Sequence, residues 1–223
     1  YCQCPGPMDW FKEWKKPEGV EIELLENPTG EDFCSQINYA VEHTTTTWFS
    51  ILEFDDEYSK IWLKSAREYI EYYGNVSLFF PIVVDVDSTN NFIGFTNESV
   101  WAVSFSEKLG MLDNSTLLRY QNYQLSGAII KTEEFLEIGG LKSSMKLTFT
   151  YEFLLRATYN DFEIMTIPKI GYRHMNMREW SLFWNYKNHP EQKLAGEEAK
   201  FWVDLAKKEY FFTDDRRIAF EIE

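Results

Sequence analysis

The stretch Ile51-Leu52-Glu53-Phe54-Asp55-Asp56-Glu57 joins an apolar run to four carboxylates within five positions. Carboxylates this close repel one another in a low dielectric unless a cation lies among them. Hard oxygen donors suit Mg²⁺ or Mn²⁺, and Mg²⁺ commonly combines one or two carboxylates with substrate phosphates. At the carboxyl end of a sheet strand, such groups project into the crevice where open α/β sheets bind ligands. Helix capping accounts for the same residues: Asp55 or Asp56 as N-cap, with Glu57 in the first turn. Both readings stand on this segment alone. A second pair, Asp85-Val86-Asp87, also ends an apolar run and taken alone looks like a D-x-D metal motif. Ser88-Thr89-Asn90-Asn91 follows it, which is turn chemistry and not a helix, so this pair is the weaker metal candidate. A turn, or a contact with an acceptor, is the role expected of Asp87.

The elements that must hold these groups follow from periodicity. Residues 48–54 and 77–86 read as apolar strands, the second continuous enough to be buried on both faces. Residues 20–25 alternate apolar and acidic side chains and read as a further strand. Residues 123–131, with Gly127 inside, and 161–168 complete the strand set, and 171–174 continue into a loop. Helices are expected over 8–16, 31–43, 58–73, 132–137, 148–158 and 197–208, the fourth stopped by Gly139-Gly140. Glu31 and Asp32 fall in the first turn of the second helix, where its dipole favours them. Residues 87–119 are less regular. Strands alternating with helices imply an α/β sheet.

Composition sets the outer bounds. The chain has 223 residues, enough for a sizeable core, and its 22 basic against 36 acidic residues give a net charge of −14. That balance argues against broad nucleic-acid binding, which needs Lys and Arg along the phosphate backbone. Aromatic residues make up 17%, which excludes a disordered chain. Trp10, Trp14, Trp48, Trp62 and Trp202 lie at core spacings. Trp101, Trp180 and Trp184 lie among polar neighbours, where an exposed ring can stack on a sugar or base, and Trp180 is taken as an acceptor-site candidate. The three cysteines, Cys2, Cys4 and Cys34, cannot all pair within one chain and read as free thiols of a reducing compartment. No run reaches membrane-spanning length and no signal peptide is visible. The three sequons are read as chance. The chain starts without Met, in what reads as the end of a strand over 1–4, which suggests a fragment.

The order of segments carries a resemblance. A turn at Asn27-Pro28-Thr29-Gly30 leads into a helix containing Asn38. The acidic cluster then precedes Tyr58, and Ser126-Gly127-Ala128-Ile129-Ile130 and Phe135-Leu136-Glu137-Ile138-Gly139-Gly140-Leu141 follow. Last come Tyr151-Glu152-Phe153-Leu154-Leu155-Arg156 and Gly171-Tyr172-Arg173-His174. This resembles the nucleotide-sugar glycosyltransferases of the GT-A fold, family 2 type, over residues 20–174. The aromatic-rich version here is also similar to glycosyltransferase-like proteins of large tailed bacteriophages. The resemblance implies a Rossmann-like, mostly parallel sheet flanked by helices, lacking the first strand–helix unit. It implies a domain over 1–190, with a helical extension over 191–223 packed on it.

By the same resemblance, Glu53-Phe54-Asp55 falls on the D-x-D motif, with Asp55 and His174 as ligands of Mn²⁺ or Mg²⁺. Glu53, Asp56, Asn27 and Asn38 would face the donor, and Ser126, Gly127 and Ala128 would let donor and acceptor approach. The metal would neutralise the departing diphosphate. The family's catalytic Glu-Asp pair aligns with Phe149-Thr150, which cannot take a proton. Glu152 is the nearest acid, either as the base or as an i,i+4 partner of Arg156. The implied function is metal-dependent, inverting transfer from a nucleotide sugar to a glycan, protein or modified-base acceptor in the cytoplasm, which is the host's if the chain is phage-encoded. A non-catalytic binding or virion-assembly module of the same fold is the alternative. Transfer to DNA bases is a third reading, for which Arg156, Lys169, Arg173, Arg178 and Lys187 offer only a small basic path.

Overall fold

The computed structural model describes residues 18–28, 32–176 and 195–210, together with Lys15, Gly30, Arg178 and Ser181. The expected first strand and helix, and Trp10, Trp14, Trp180 and Trp184, lie outside the described residues. Among those described, seven strands form one sheet: β1 (Trp48–Ser50), β2 (Glu57–Tyr58), β3 (Val76–Val86), β4 (Phe92–Thr96), β5 (Met111–Leu112), β6 (Ile129–Lys131) and β7 (Glu163–Met175). The helices are α1 (Phe33–Glu42), α2 (Trp62–Tyr72), α3 (Asn114–Arg119), α4 (Thr132–Glu137), α5 (Phe149–Tyr159) and α6 (Ala195–Tyr210).

The frame is a parallel pair, β3 and β7, each long enough to serve two neighbours on its outer edge. The first half of β3 takes β6 and the second half takes β4. The first half of β7 takes β5 and the second half takes β2. The α/β architecture is as expected, but β3–β7 is the one parallel pairing among the six described. Connection length explains this. A five-residue turn between β3 and β4 permits only an antiparallel hairpin, whereas β3 and β7 are separated by enough chain, including α5, for a crossover.

Alternation along β3 divides the core. Leu78 and Phe80 pack toward α1, α4 and α5, with Leu154, Leu155 and Ile130; Phe79 packs toward α2, with Trp62, Met165 and Ile167. Full burial of one such side chain contributes about 1.5–3 kcal/mol. Ala206 of α6 joins the first cluster. Asp32 caps α1 by accepting from Ser35 N at 3.1 Å, and Asp113 caps α3 by accepting from Thr116 N at 2.7 Å.

Several boundaries differ from the sequence reading. Residues 20–25 find no strand partner, and Val20, Ile22 and Leu24 are exposed. The strand expected over 123–131 shrinks to Ile129–Lys131, because Gly127 adopts φ +81 and breaks the extended run. Conversely, β7 passes through Pro168 and reaches Met175, where 171–174 was expected to be a loop. It can do so because the register shifts there. Phe80 pairs with Thr166 and Ile82 with Ile170, so Ile167, Pro168 and Lys169 lie opposite Pro81 alone. Neither proline has an N–H to give, so both fit at a bulge.

Candidate functional site

Residues 51–56 connect β1, beyond one side of the parallel pair, to β2, beyond the other. The segment therefore crosses the sheet near the carboxyl ends of β3 and β7. It is pinned along its length. Ile51 O accepts from Gly127 N at 2.8 Å, and Asp56 N donates to Glu53 O at 3.1 Å to close a turn. Glu53 N donates to the Tyr172 hydroxyl at 3.1 Å. Gly127 and Gly171 leave room for this stacking. A Cβ on Gly127 would lie 2.5 Å from the Tyr172 ring, and one on Gly171 would lie 2.4 Å from the Trp62 ring. The Trp62 indole N–H donates to Gly127 O at 2.8 Å.

Two strands supply the floor. Tyr172 and His174 are two residues apart on β7 and so share a face. Asp85 of β3 is the register partner of His174. His174 Nδ1 lies 2.9 Å from Asp56 Oδ2, and Met175 N donates to Asp56 Oδ1 at 2.8 Å. Ser126 Oγ donates to Glu53 Oε1. Thr96 Oγ1 donates to Asp85 Oδ2 at 2.6 Å. One donor atom each of Glu53, Asp56 and His174 falls within 4.8 Å of the others.

The electrostatics follow the bonding. Burial pushes Glu53 above its ordinary value, and the charge of Asp56 adds to this against the Ser126 hydrogen bond. Burial also pushes Asp85 up. Burial alone would raise Asp56, but the His174 bond, the His174 charge and the Met175 N–H outweigh it and hold the carboxyl low. Burial would lower His174, but its bond to Asp56 and the surrounding carboxylates raise it. Three buried or half-buried acids thus surround one imidazole.

The structure therefore brings together Glu53, Asp56, Ser126, Gly127 and His174 of the residues singled out by sequence. It does not add Asp55 to the donor cluster: its carboxylate pairs with Arg178 Nη1 at 3.0 Å. Asn38 is bound at both ends of its amide by the backbone of Leu141, at 2.8 Å each. Asn27 donates to Ser35 O at 3.0 Å. Ala128 is fully buried in the core. Asp87 organises the β3–β4 turn, accepting from Thr89 and Asn91, and these bonds hold its carboxyl at about 2. Trp101 is half-buried and donates to Thr166 O at 3.0 Å. Trp180 lies outside the described residues. Glu152 is fully buried and takes the ion-pair alternative. Its two oxygens accept from Arg156 at 2.8 Å each, and Lys142 lies 2.9 Å away. Arg156 also donates to the carbonyls of Ile138 and Gly140.

Sequence reasoning gave no site role to Tyr172 and placed Arg178 only in the small basic path of the DNA-base reading. It read Asp85 in a D-x-D pair as the weaker metal candidate, with a turn preferred. The signal for Asp85 was present: a carboxylate inside an otherwise apolar strand needs a reason to be buried.

No family model matches the sequence, and no curated protein matches it. Among solved structures, S. aureus TarS 1-349 in complex with UDP-GlcNAc is similar at a TM-score of 0.50 and 14% identity, over 78% of this chain and 52% of that one. S. aureus TarS 1-349 alone gives 0.49 at 15% identity, over 79% of this chain and 51% of that one. The chain thus spans about half the length of these neighbours. The likeness is one of fold: the mixed α/β arrangement of GT-A-like glycosyltransferases. Among the described residues no helix is long and apolar enough to cross a membrane.

Proposed function

We propose that this chain is a glycosyltransferase domain that takes a sugar from a nucleotide-sugar donor, with a divalent cation held by Glu53, Asp56 and His174. The observation that carries the reading is the convergence of those three donor atoms within 4.8 Å at the carboxyl ends of β3 and β7, in a fold of the GT-A kind. The donor set suits the group: two carboxylates and an imidazole fit Mn²⁺ or Mg²⁺. Bound there, the cation supplies Lewis-acid neutralisation of the diphosphate.

The chain's own residues do the positioning. Ser126 and the Tyr172 hydroxyl hold Glu53, and Met175 N holds Asp56. Gly127 keeps the backbone low where donor and acceptor approach, and Asp87 and Trp180 are assigned to the acceptor side. That a structural neighbour was crystallised with UDP-GlcNAc supports a uridine nucleotide as the first probe. We assign the reaction to direct displacement with inversion, in a cytoplasmic compartment that keeps Cys34 a thiol.

The test is thermal unfolding with Mn²⁺ and UDP. A rise in Tm for the wild type, lost in Asp56→Ala and His174→Ala, is expected. The same rise in both variants sinks the metal assignment, and no rise with UDP or UDP-GlcNAc sinks the donor. One observation favours a second reading, binding without transfer: the acid nearest the expected base position, Glu152, is buried against Arg156. Release of UDP from UDP-GlcNAc, by transfer or hydrolysis, excludes that reading.

A further inference from the structure

Asp55 lies outside the donor cluster and already has a cation of its own. The Asp55 and Arg178 side chains are only 15% and 28% exposed, and their charged atoms are 3.0 Å apart. The guanidinium also lies over the Phe54 ring at 4.5 Å, although Phe54 is 71% exposed. Arg178 Nε is buried and has no hydrogen-bond partner among the described residues. A guanidinium offers five donors in a planar fork that matches carboxylate and phosphate alike. Here an enclosed guanidinium meets a carboxylate through Nη1 while Nε remains unanswered. Leaving a buried donor unmatched is costly, so its geometry needs an explanation. The pair also adjoins the donor cluster, since Asp55 is bonded in sequence to Asp56.

We propose that Arg178 is the resident counter-cation of the donor site. It neutralises Asp55 in the arrangement seen here and moves to a diphosphate oxygen when a nucleoside diphosphate binds, which frees Asp55 for the divalent ion. The proposal rests on the reading of this chain as a nucleotide-sugar site. Two competitions follow. Arg178 and a divalent ion compete for Asp55, and Asp55 and the diphosphate compete for Arg178. Phosphate wins the second because it presents more charge and more acceptors, which can engage Nε as well as the Nη groups. The Phe54 ring keeps the guanidinium plane beside the site through the exchange.

The experiment uses Mn²⁺ titration followed by electron paramagnetic resonance, and UDP titration by calorimetry without metal. The proteins are the wild type, Arg178→Ala, Arg178→Lys and Asp55→Asn, each checked for folding by circular dichroism. Arg178→Ala should bind Mn²⁺ alone about threefold or more tightly, because a like charge has gone. It should bind UDP about tenfold more weakly, because a charge-assisted bond has gone. Arg178→Lys keeps the charge without the fork and should fall between on both measures. Asp55→Asn should bind UDP more tightly than the wild type without metal. Unchanged or weaker Mn²⁺ binding in Arg178→Ala overturns the counter-cation role, and unchanged UDP binding overturns the transfer. Wild type that binds neither probe overturns the donor-site reading, and this proposal falls with it. If the wild type binds both and Arg178→Ala matches it, the proposal alone fails.

Discussion

Glu152 in the helical layer and Asp56 at the carboxyl end of the sheet are both carboxylates withdrawn from solvent and bonded to a basic side chain, yet their surroundings differ. Around Glu152 the charges favour the cation side: Arg156 grips both oxygens, Lys142 stands beside them, and the remaining guanidinium donors hold Ile138 O and Gly140 O. Around Asp56 the balance is reversed, with Glu53 and Asp85 adding acid to a cluster whose base is His174. The first arrangement is matched and ties α5 to the loop after α4. The second carries negative charge in excess of what its own residues neutralise. A fold can keep a matched buried pair for architecture; an unmatched one is a feature of functional sites.

The largest effect expected from this contrast is in the helical layer. Arg156→Ala leaves Glu152 buried without its main partner and should lower stability by about 3–5 kcal/mol in urea unfolding. A loss below about 1 kcal/mol would mean the pair is not the architectural member. Next in size is Gly127→Ala. It places a methyl group against the Tyr172 ring at a positive φ and should cost about 1–3 kcal/mol. It should also erase the Tm rise with Mn²⁺ and UDP, without touching a carboxylate; a preserved rise would separate Tyr172 from the site.

Glu53→Gln should change stability by less than about 1 kcal/mol, and in the favourable direction, because it removes one of several crowded acids. The same variant should lose Mn²⁺ binding. A large destabilisation would make the sheet cluster as architectural as the helical one. The smallest readout is chemical. Burial, with the charges of Asp32 and Glu152, pushes the Cys34 thiol up to about 12. At pH 8 its thiolate is then about a thousandfold scarcer than that of an ordinary cysteine. Alkylation mapped by mass spectrometry should leave Cys34 unmodified in the native protein. Removing the Glu152 charge in a folded variant should speed it, since a nearby negative charge disfavours the thiolate.

Legibility followed the same division. The helix over 132–137 was readable to the residue, because Thr132 starts it and Gly139-Gly140 stop it within one short apolar pattern. The order of the acidic cluster, Ser126-Gly127 and His174 along the chain pointed to a common site, and the sheet brings them together. Which acid meets the imidazole was not readable. That depends on the turn closed by Asp56 N and Glu53 O, which turns Asp55 toward Arg178 and Asp56 toward His174. The partner Arg178 lies more than a hundred residues away, and no local pattern announces it. Glu152 was ambiguous for a different reason: i,i+4 spacing to Arg156 shows that a pair can form, but burial decides what the pair does.

The bulge at Pro81 and Pro168 has a consequence for motion. Pro81 lies opposite the 167–169 stretch that holds Pro168, so two amide hydrogens are missing from the central parallel pair and the ladder has a seam at mid-length. Pro81 O is taken instead by the buried side chain of Asn97, at 3.3 Å, which latches the seam from outside the ladder. The strand halves bearing Asp85 and His174 are therefore expected to open and reclose before the halves bearing Leu78, Phe79 and Ile164. Hydrogen exchange should resolve two protection levels along one continuous pair of strands, the lower at the end that carries the site.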